Sequence, residues 1–304
     1  MESNLQSRVT DLFDEPVDHC LVPIRGYENL PLRPLIETIK PVSKLFNGIE
    51  DYVFIALRNC QNPSDKLDQQ ESAAIQLYTM QFRGGPSLYK ILNETLRIEN
   101  RDALKPWFLY LKLFLTALYK LPSESKIVWR GIKDVDLSSK YKRGIEFVWW
   151  GVSSCNTNIE ILESNTLMGK TGVRTIFSIE CVQGKSVANH SYFKQKEDEV
   201  ILMPGSYFKV IGQLNPVPEL HIIQLKQISP PIKFIEPLLP QSNDIDSPPN
   251  DDQLATVLPP TSSDRVSEKI PLQPVAASPL IHPTRTHETR PLQTSRSYMK
   301  ILKT

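Results

Sequence analysis

The stretch LKPWFLYLKLFLTALYKLPSESKIVWR, residues Leu104–Arg130, contains the point where the chain changes from helical to extended periodicity. Before Pro122, large apolar side chains recur at helical spacing and form a broad stripe: Leu104, Trp107, Phe108, Leu111, Leu115 and Leu118. Lys120 suits the last turn of a helix, and Pro122 ends it because proline has no amide hydrogen to donate. The following KIVWR is rich in β-branched and aromatic residues, which is typical of a strand. The stretch therefore predicts a helix over Leu104–Leu121 and then a strand.

The sequence on either side predicts more helices before this stretch and more strands after it. Upstream, apolar side chains at helical spacing predict two further helices, one over Asp68–Met80 and one that begins after Pro86. Downstream, short β-rich segments separated by Gly, Pro, Ser or Asn predict strands at Lys126–Arg130, Glu146–Gly151, Val173–Val182, Glu199–Met203, Tyr207–Gly212 and Leu220–Ile228. Because the helices precede the strands instead of alternating with them, the predicted fold class is α+β. The sequence contains neither GxGxxG nor GxxxxGK[ST], so Rossmann and P-loop nucleotide sites are not expected.

Composition argues against several functional classes. The 304 residues include 35 Lys and Arg against 34 Asp and Glu, a net charge of +1. Such a chain is not expected to bind nucleic acid or an anionic membrane through its global field. No segment reaches the roughly 18 consecutive apolar residues of a membrane span. The start of the chain, MESNLQSRVTDLFDEP, lacks an apolar signal core, so secretion by that route is not expected.

The cysteines are widely spaced, with no CxxC and no Cys/His cluster: Cys20, Cys60, Cys155 and Cys181. This pattern differs from that of a zinc site or a disulfide framework, so no metal is expected. Free thiols are typical of a reducing compartment, and the cytoplasm is therefore the default expectation for the location of the protein.

Proline is unevenly distributed, since 13 of the 25 prolines lie between Pro230 and Thr304. That segment has no glycine and few large apolar side chains, so it cannot bury enough surface to offset the entropy of ordering it. We expect a disordered tail over residues 230–304. Residues 65–229 are predicted to form the main domain, and residues 1–64 an extension that packs on it.

Two candidate sites for chemistry lie in the predicted strands. Arg130 and Gly131 end the KIVWR strand, where an arginine fork can hold a phosphate while glycine lets the backbone come close. The alternative is an edge-strand arginine in a salt bridge. The second site is WWGVSS, where two aromatic residues precede Ser153 and Ser154. It could form a stacking wall beside hydroxyl donors, or a core strand that ends in a turn.

The third candidate site is Glu197-Asp198-Glu199, which precedes the apolar residues VILM. In an extended chain, residues i and i+2 share a face, so the side chains of Glu197 and Glu199 are predicted to point the same way. Two neighbouring carboxylates repel each other, but they suit the binding of a hydroxyl, a cation or a cationic transition state. The alternative is a solvated acidic loop.

Taken in this order, Arg130, Ser153 and the pair Glu197 and Glu199 resemble the arginine-specific mono-ADP-ribosyltransferase family, whose members share Arg, Ser and Glu-x-Glu. The resemblance extends over roughly residues 65–228 and includes the predicted helices. Its most specific segments are VWRG (Val128–Gly131), FVWWGVSS (Phe147–Ser154) and SYFKQKEDEVILMPGSYFKV (Ser191–Val210).

The resemblance implies an ADP-ribosyltransferase fold, in which an N-terminal helical subdomain is followed by a split, mostly antiparallel β core. NAD would bind in the cleft between them, and residues 65–229 would be the catalytic domain. The implied activity is transfer of ADP-ribose from NAD to arginine side chains of acceptor proteins, with release of nicotinamide. NADP is the alternative substrate, and neither a metal, a nucleic acid nor a membrane partner is implied.

The resemblance also implies roles for the residues of the first two sites. Arg130 and Gly131 would contact the phosphates of NAD. Ser153, as the first residue of the family's Ser-Thr-Ser motif, would hold the nicotinamide-ribose end and support the catalytic glutamate. Cys155 replaces the last serine of that motif, so Ser154 is the alternative key serine.

In the third site, the resemblance implies that Glu199 is the catalytic glutamate and that Glu197 selects and activates the arginine acceptor. Trp150, Tyr192 and Phe193 are secondary candidates for stacking on nicotinamide or on the acceptor. Two alternatives to arginine transfer stay open: an NAD glycohydrolase that uses water, and an inactive NAD-binding protein whose tail recruits partners.

Overall fold

The structure is a computed structural model that describes residue 12 and residues 14–164, 168–193 and 198–235. All of these residues fall in the first of two units, Met1–Asn243. Glu197 and the part of the predicted tail from residue 236 onward lie outside the described residues. Among the helices that are described, none has both the length and the apolar character needed to cross a bilayer.

The described residues form five α-helices before the first strand: α1 (Leu35–Ile39), α2 (Ile49–Asn59), α3 (Gln69–Thr79), α4 (Leu88–Arg97) and α5 (Phe108–Lys120). The Asp68 side chain caps α3 by accepting a hydrogen bond from the Glu71 amide, and the Glu71 side chain accepts one from the Asp68 amide. The helix predicted over Leu104–Leu121 is divided, because Arg101–Trp107 is a 3-10 helix with Pro106 inside it. Proline cannot donate the amide hydrogen bond that an α-helix requires there.

Seven strands follow, and they form one mixed sheet: β1 (Ser123–Lys133), β2 (Glu146–Trp149), β3 (Ser153–Asn156), β4 (Arg174–Ser186), β5 (Glu199–Leu202), β6 (Ser206–Val217) and β7 (Leu220–Gln227). Only β4 and β7 pair in parallel among the strand pairs of the described residues. The predicted α+β class with helices before a mostly antiparallel sheet is therefore confirmed. Strand β3 was not predicted, because SSCN has little β-propensity of its own and depends on its neighbours for pairing.

The sheet divides into a long part and a short part. Strands β1, β4, β7, β6 and β2 form the long part in that order. Strands β3 and β5 form the short part, which joins β1 at Trp129–Asn156 and β4 at Lys185–Ile201 and Ser186–Val200. The four strands β1, β3, β5 and β4 thus close a ring, and the predicted split of the β core is confirmed.

The two larger of three hydrophobic clusters in the described residues hold the helices and strands together. The larger core contains apolar side chains from α1–α5 together with Trp150, Val152 and Ile201. The second core is built by the sheet itself, with Trp149 and Phe177 at 5.4 Å between ring centroids. Neighbouring tryptophans thus enter different cores, because successive side chains of an extended segment point to opposite faces.

The described end of the chain packs on this body beyond residue 229, where the tail was predicted to begin. Phe234 is buried and lies against the rings of Trp150 and Tyr207, at 5.5 and 5.7 Å between centroids. Its carbonyl accepts a hydrogen bond from the Ile24 amide at 2.8 Å. The domain boundaries at residues 65 and 229 themselves stay predictions.

We expect a chain that ends after Ile235 to unfold at the same denaturant concentration as the full chain. A chain that ends after Ser229 loses Phe234 from the larger core, and its unfolding free energy should fall by about 3–5 kcal/mol. Urea unfolding of both truncated chains beside the full chain measures the difference. Equal midpoints for the two truncations would show that the packing of Phe234 contributes nothing.

Candidate active site

Strands β3 and β5 bring the serine and glutamate candidates together. The paired residues of their antiparallel ladder are Asn156–Glu199, Cys155–Val200, Ser154–Ile201 and Ser153–Leu202. Directly paired residues point to the same face of a sheet, and successive residues alternate between the faces. Ser154 and Asn156 therefore share a face with Glu199, whereas Ser153 lies on the opposite face.

Arg130 reaches the same strands from β1, which pairs with β3 at Trp129–Asn156. Its side chain is only 3% exposed, and its Nη1 donates a hydrogen bond to the backbone carbonyl of Ser154 at 2.8 Å. The buried guanidinium thereby links the first candidate site to the second. The structure thus places the strands that carry Arg130, the two serines and Glu199 side by side, although these strands are far apart in the sequence.

On the side where a Cβ would stand, Gly131 faces other side chains of the protein. A Cβ at this position would lie 3.0 Å from the sulfur of Met168 and 3.3 Å from Cδ2 of Leu162. Leu162 belongs to the 3-10 helix Ile159–Glu163, which packs on β1. Within the described structure, a side chain at this position would therefore displace the flexible ends of Met168 and Leu162.

Glu199 is 1% exposed, and its carboxylate is held by a residue that the sequence analysis missed. The Ser191 hydroxyl donates a hydrogen bond to Oε2 of Glu199 at 3.0 Å. No periodicity marks Ser191, because the contact exists only where the turn that starts at Val187 folds back over β5. The Val187 amide donates to the Glu199 carbonyl at 3.0 Å, which anchors that turn.

Two buried polar atoms of β3 lack a hydrogen-bond partner among the described residues: Oγ of Ser153 and Oδ1 of Asn156. Buried polar groups in proteins nearly always have partners, so such atoms point to a polar ligand. A hydroxyl and an amide oxygen suit the hydroxyl and amide groups of a dinucleotide such as NAD. The residues present therefore fit NAD.

The aromatic candidates separate into a buried and an exposed group. Trp150 is fully buried, and Arg101 lies 4.3 Å from its ring centroid, so the expectation that Trp150 stacks on a ligand is wrong. Tyr192 is 45% exposed, and its ring meets that of Phe193 edge-on at 5.4 Å. The Tyr192 amide donates to Oγ1 of Thr79 at 2.8 Å, which ties this aromatic pair to α3.

The remaining predictions about the site concern Glu197 and a metal ion. Glu197 lies outside the described residues, so its position beside Glu199 rests on the sequence alone. Within the described ranges, no group of three or more His, Cys, Asp or Glu side chains is arranged to hold a metal ion.

The fold is that of an ADP-ribosyltransferase: helices precede a split β core, in which the arginine strand β1 and the glutamate strand β5 both pair with the serine strand β3. The family model described as NAD:arginine ADP-ribosyltransferase matches residues 42–230, more than half of the chain. The chain belongs to this family, whose members are transferases with NAD as substrate.

Solved structures of ADP-ribosyltransferases match this chain at low sequence identity. HopU1 of Pseudomonas syringae pv. tomato is 18% identical with a TM-score of 0.48, and the match covers 69% of this chain and 100% of HopU1. The Vis toxin from Vibrio splendidus is 19% identical with a TM-score of 0.44, covering 67% and 90%. The eukaryotic enzyme ART2.2 is 16% identical with a TM-score of 0.46, covering 65% and 85%. No curated protein matches the sequence.

Proposed function

We propose that the protein transfers ADP-ribose from NAD to arginine side chains of acceptor proteins and releases nicotinamide. The observation that carries the proposal is the buried carboxylate of Glu199, held by the Ser191 hydroxyl at the start of β5. The family match supports the substrate, since the description of that family names both NAD and arginine.

For NAD binding, we propose Arg130 and Gly131 on β1 and Ser153 and Ser154 on β3. The guanidinium of Arg130 is a donor fork suited to a phosphate. Ser153 contributes a buried hydroxyl that has no partner among the described residues, and Ser154 lies on the face of Glu199. NADP is the alternative substrate, because the same groups serve both dinucleotides.

Glu199 is the proposed catalytic residue. As nicotinamide leaves, positive charge develops on the ribose, and a carboxylate fixed nearby stabilises that charge more than it stabilises the ground state. Carboxylates perform the same function in glycoside hydrolysis. Burial strengthens the effect, because few water molecules screen the carboxylate there. Glu199 also accepts a hydrogen bond from a ribose hydroxyl in this proposal.

Glu197 is proposed to prepare the acceptor. The pKa of an arginine side chain is so high that the guanidinium stays protonated at neutral pH, and the protonated form is a poor nucleophile. A carboxylate beside the guanidinium can orient it and take a proton as the new bond forms. Glu197 precedes Glu199 by two residues, which suits a second carboxylate on the same face of an extended chain.

Replacing Glu197 with glutamine should separate these two functions. Nicotinamide release into water should persist, because Glu199 keeps its charge, while transfer to agmatine, used as an arginine analogue, should fall by about 10²-fold or more. Asp198→Asn is the matched control, since Asp198 is an exposed carboxylate between the two glutamates and should not affect either rate. Full agmatine transfer by the Glu197→Gln variant would contradict the proposed role.

Mass spectrometry of acceptor proteins incubated with the enzyme and isotope-labelled NAD tests the function directly. Labelled ADP-ribose on arginine side chains is the expected result. Nicotinamide release that an arginine analogue does not accelerate would instead indicate an NAD glycohydrolase. Calorimetric binding of NAD without any turnover would indicate an NAD-binding interaction protein.

A further inference from the structure

His190 lies in a buried polar arrangement that the proposed reaction does not use. The residue is 1% exposed, and both ring nitrogens have partners. Nδ1 lies 2.9 Å from Oγ of Ser72 on α3, and Nε2 lies 3.1 Å from Oδ2 of Asp65. A carboxylate only accepts hydrogen bonds, so Nε2 carries the hydrogen, and in the neutral ring Nδ1 accepts from the Ser72 hydroxyl.

Asp65 makes this contact from a left-handed stretch of backbone. Asp65 and Lys66 both have left-handed backbones, with φ angles of 58° and 60°, although neither is glycine. Such conformations persist where the surroundings enforce them, and they are frequent at functional sites. Hydrogen bonds from Ser64, Asn189 and His190 lower the pKa of Asp65 below its usual value, which keeps its carboxylate charged.

The backbone connects His190 to the proposed catalytic carboxylate in two steps. The amides of His190 and Ser191 both donate to the Val187 carbonyl, at 2.9 and 2.8 Å. Val187 in turn donates to the Glu199 carbonyl, and the Ser191 hydroxyl donates to the Glu199 side chain. A shift of His190 therefore moves the hydroxyl that holds Glu199.

The hydrogen-bonded residues Ser72, His190 and Asp65 also resemble a hydrolytic triad, but the burial of Ser72 argues against that function. Ser72 is 2% exposed and its hydroxyl is already engaged with His190, so no substrate can reach a nucleophile there. The arrangement instead joins α3 and the loop before it to the turn that precedes β5.

We propose that His190 is a positioning residue for the transferase reaction. Pinned between Ser72 and Asp65, it sets the turn Val187–Ser191 so that the Ser191 hydroxyl fixes the carboxylate of Glu199. The proposal rests on the proposed catalytic function of Glu199. A group that acts by positioning should affect kcat more than the KM for NAD, because small displacements of a catalytic carboxylate weaken stabilisation of the transition state.

The test compares His190→Ala, His190→Gln, Ser191→Ala and the double variant of His190→Ala with Ser191→Ala in steady-state nicotinamide release. For His190→Ala, kcat should fall by about tenfold or more while KM for NAD stays within about twofold. The amide nitrogen of glutamine can replace Nε2 as the donor to Asp65, so His190→Gln should recover most of the rate. The double variant should be no slower than Ser191→Ala, because both residues act through one contact.

His221→Ala provides a matched control. His221 is also buried, at 8% exposure, and its Nε2 lies 3.5 Å from Asp136, but it is on β7 and has no contact with the turn before β5. The variant should keep the wild-type kcat. Rates are normalised to the folded fraction from thermal unfolding, so that a fall caused only by unfolding is removed.

Several outcomes would overturn the positioning role. These are a normal kcat in His190→Ala, a rate loss that His190→Gln does not recover, and independent losses that multiply in the double variant. Glu199→Gln is measured in the same series. If the Glu199→Gln variant turns over NAD as fast as the wild-type enzyme, the proposed function is refuted, and this proposal with it. A normal His190→Ala rate beside an inactive Glu199→Gln refutes only the positioning role.

Discussion

Replacing Glu199 with glutamine is expected to reduce nicotinamide release from NAD by about 10²–10³-fold, the usual loss when a preorganised electrostatic group is removed from an active site. Glutamine has the same shape and its carbonyl oxygen can still accept the hydrogen bond from Ser191. What disappears is the negative charge, at a position that is 1% exposed. Both hydrolysis and arginine transfer should be lost, because both require departure of nicotinamide.

Single-turnover release of nicotinamide from radiolabelled NAD measures this loss without interference from product release. Glu180→Gln is a suitable control, because Glu180 lies on β4 in an exposed ion pair with Lys226 and has no contact with the site. Binding of NAD to the Glu199→Gln variant should stay near the wild-type affinity. A rate within threefold of wild type would rule out Glu199 as the catalytic carboxylate.

Replacing Glu15 with alanine is expected to lower the unfolding free energy by about 3–5 kcal/mol, the range for breaking a buried ion pair from one side. The Glu15 carboxylate accepts a hydrogen bond from Arg97 Nε at 2.6 Å, and their side chains are 0% and 5% exposed. It also accepts from the amides of Trp150 and Gly151, at 2.9 and 3.1 Å. Alanine would leave a buried guanidinium and two buried amides with fewer partners.

The loss should extend to the active site, because only Val152 separates Trp150 and Gly151 from the serine strand β3. Urea unfolding measures the stability, and nicotinamide release below the transition measures the local effect. Glu146→Ala is the matched control, since Glu146 forms an exposed ion pair with Lys209 at 2.9 Å that contributes about 0–1 kcal/mol. A decrease below 1 kcal/mol for Glu15→Ala would show that the pair does not anchor this segment.

Local patterns predicted most of the secondary structure, and the exceptions have physical causes. The strands with β-branched and aromatic residues, such as KIVWR, were predicted close to their observed positions. Strand β3 was missed because its small residues form a strand only through pairing with β1 and β5. The helix predicted from Leu104 begins at Phe108, since the apolar stripe continues through a 3-10 turn around Pro106.

In the candidate site, too, local patterns predict the residue types, whereas the pairing of strands decides their arrangement. The residue types in WRG, VSS and EDE mark Arg130, Ser153, Ser154, Glu197 and Glu199 as candidates from the sequence alone. The register of β3 against β5, however, puts Ser154 and not Ser153 on the face of Glu199. A shift of one residue in the register would reverse this assignment, and no local pattern encodes it.

The sequence by itself determined that helices precede strands, that a near-neutral chain carries an ADP-ribosyltransferase motif, and which residue types could perform the chemistry. The tertiary structure alone decided that Ser191 holds Glu199, that His190 links α3 to that contact, and that Glu15 reaches Trp150. The reason is physical: periodicity reports the burial of nearby residues along one element. Contacts across 118 or 135 residues, such as Ser72–His190 and Glu15–Trp150, depend on how the elements pack, which the order of residues does not display.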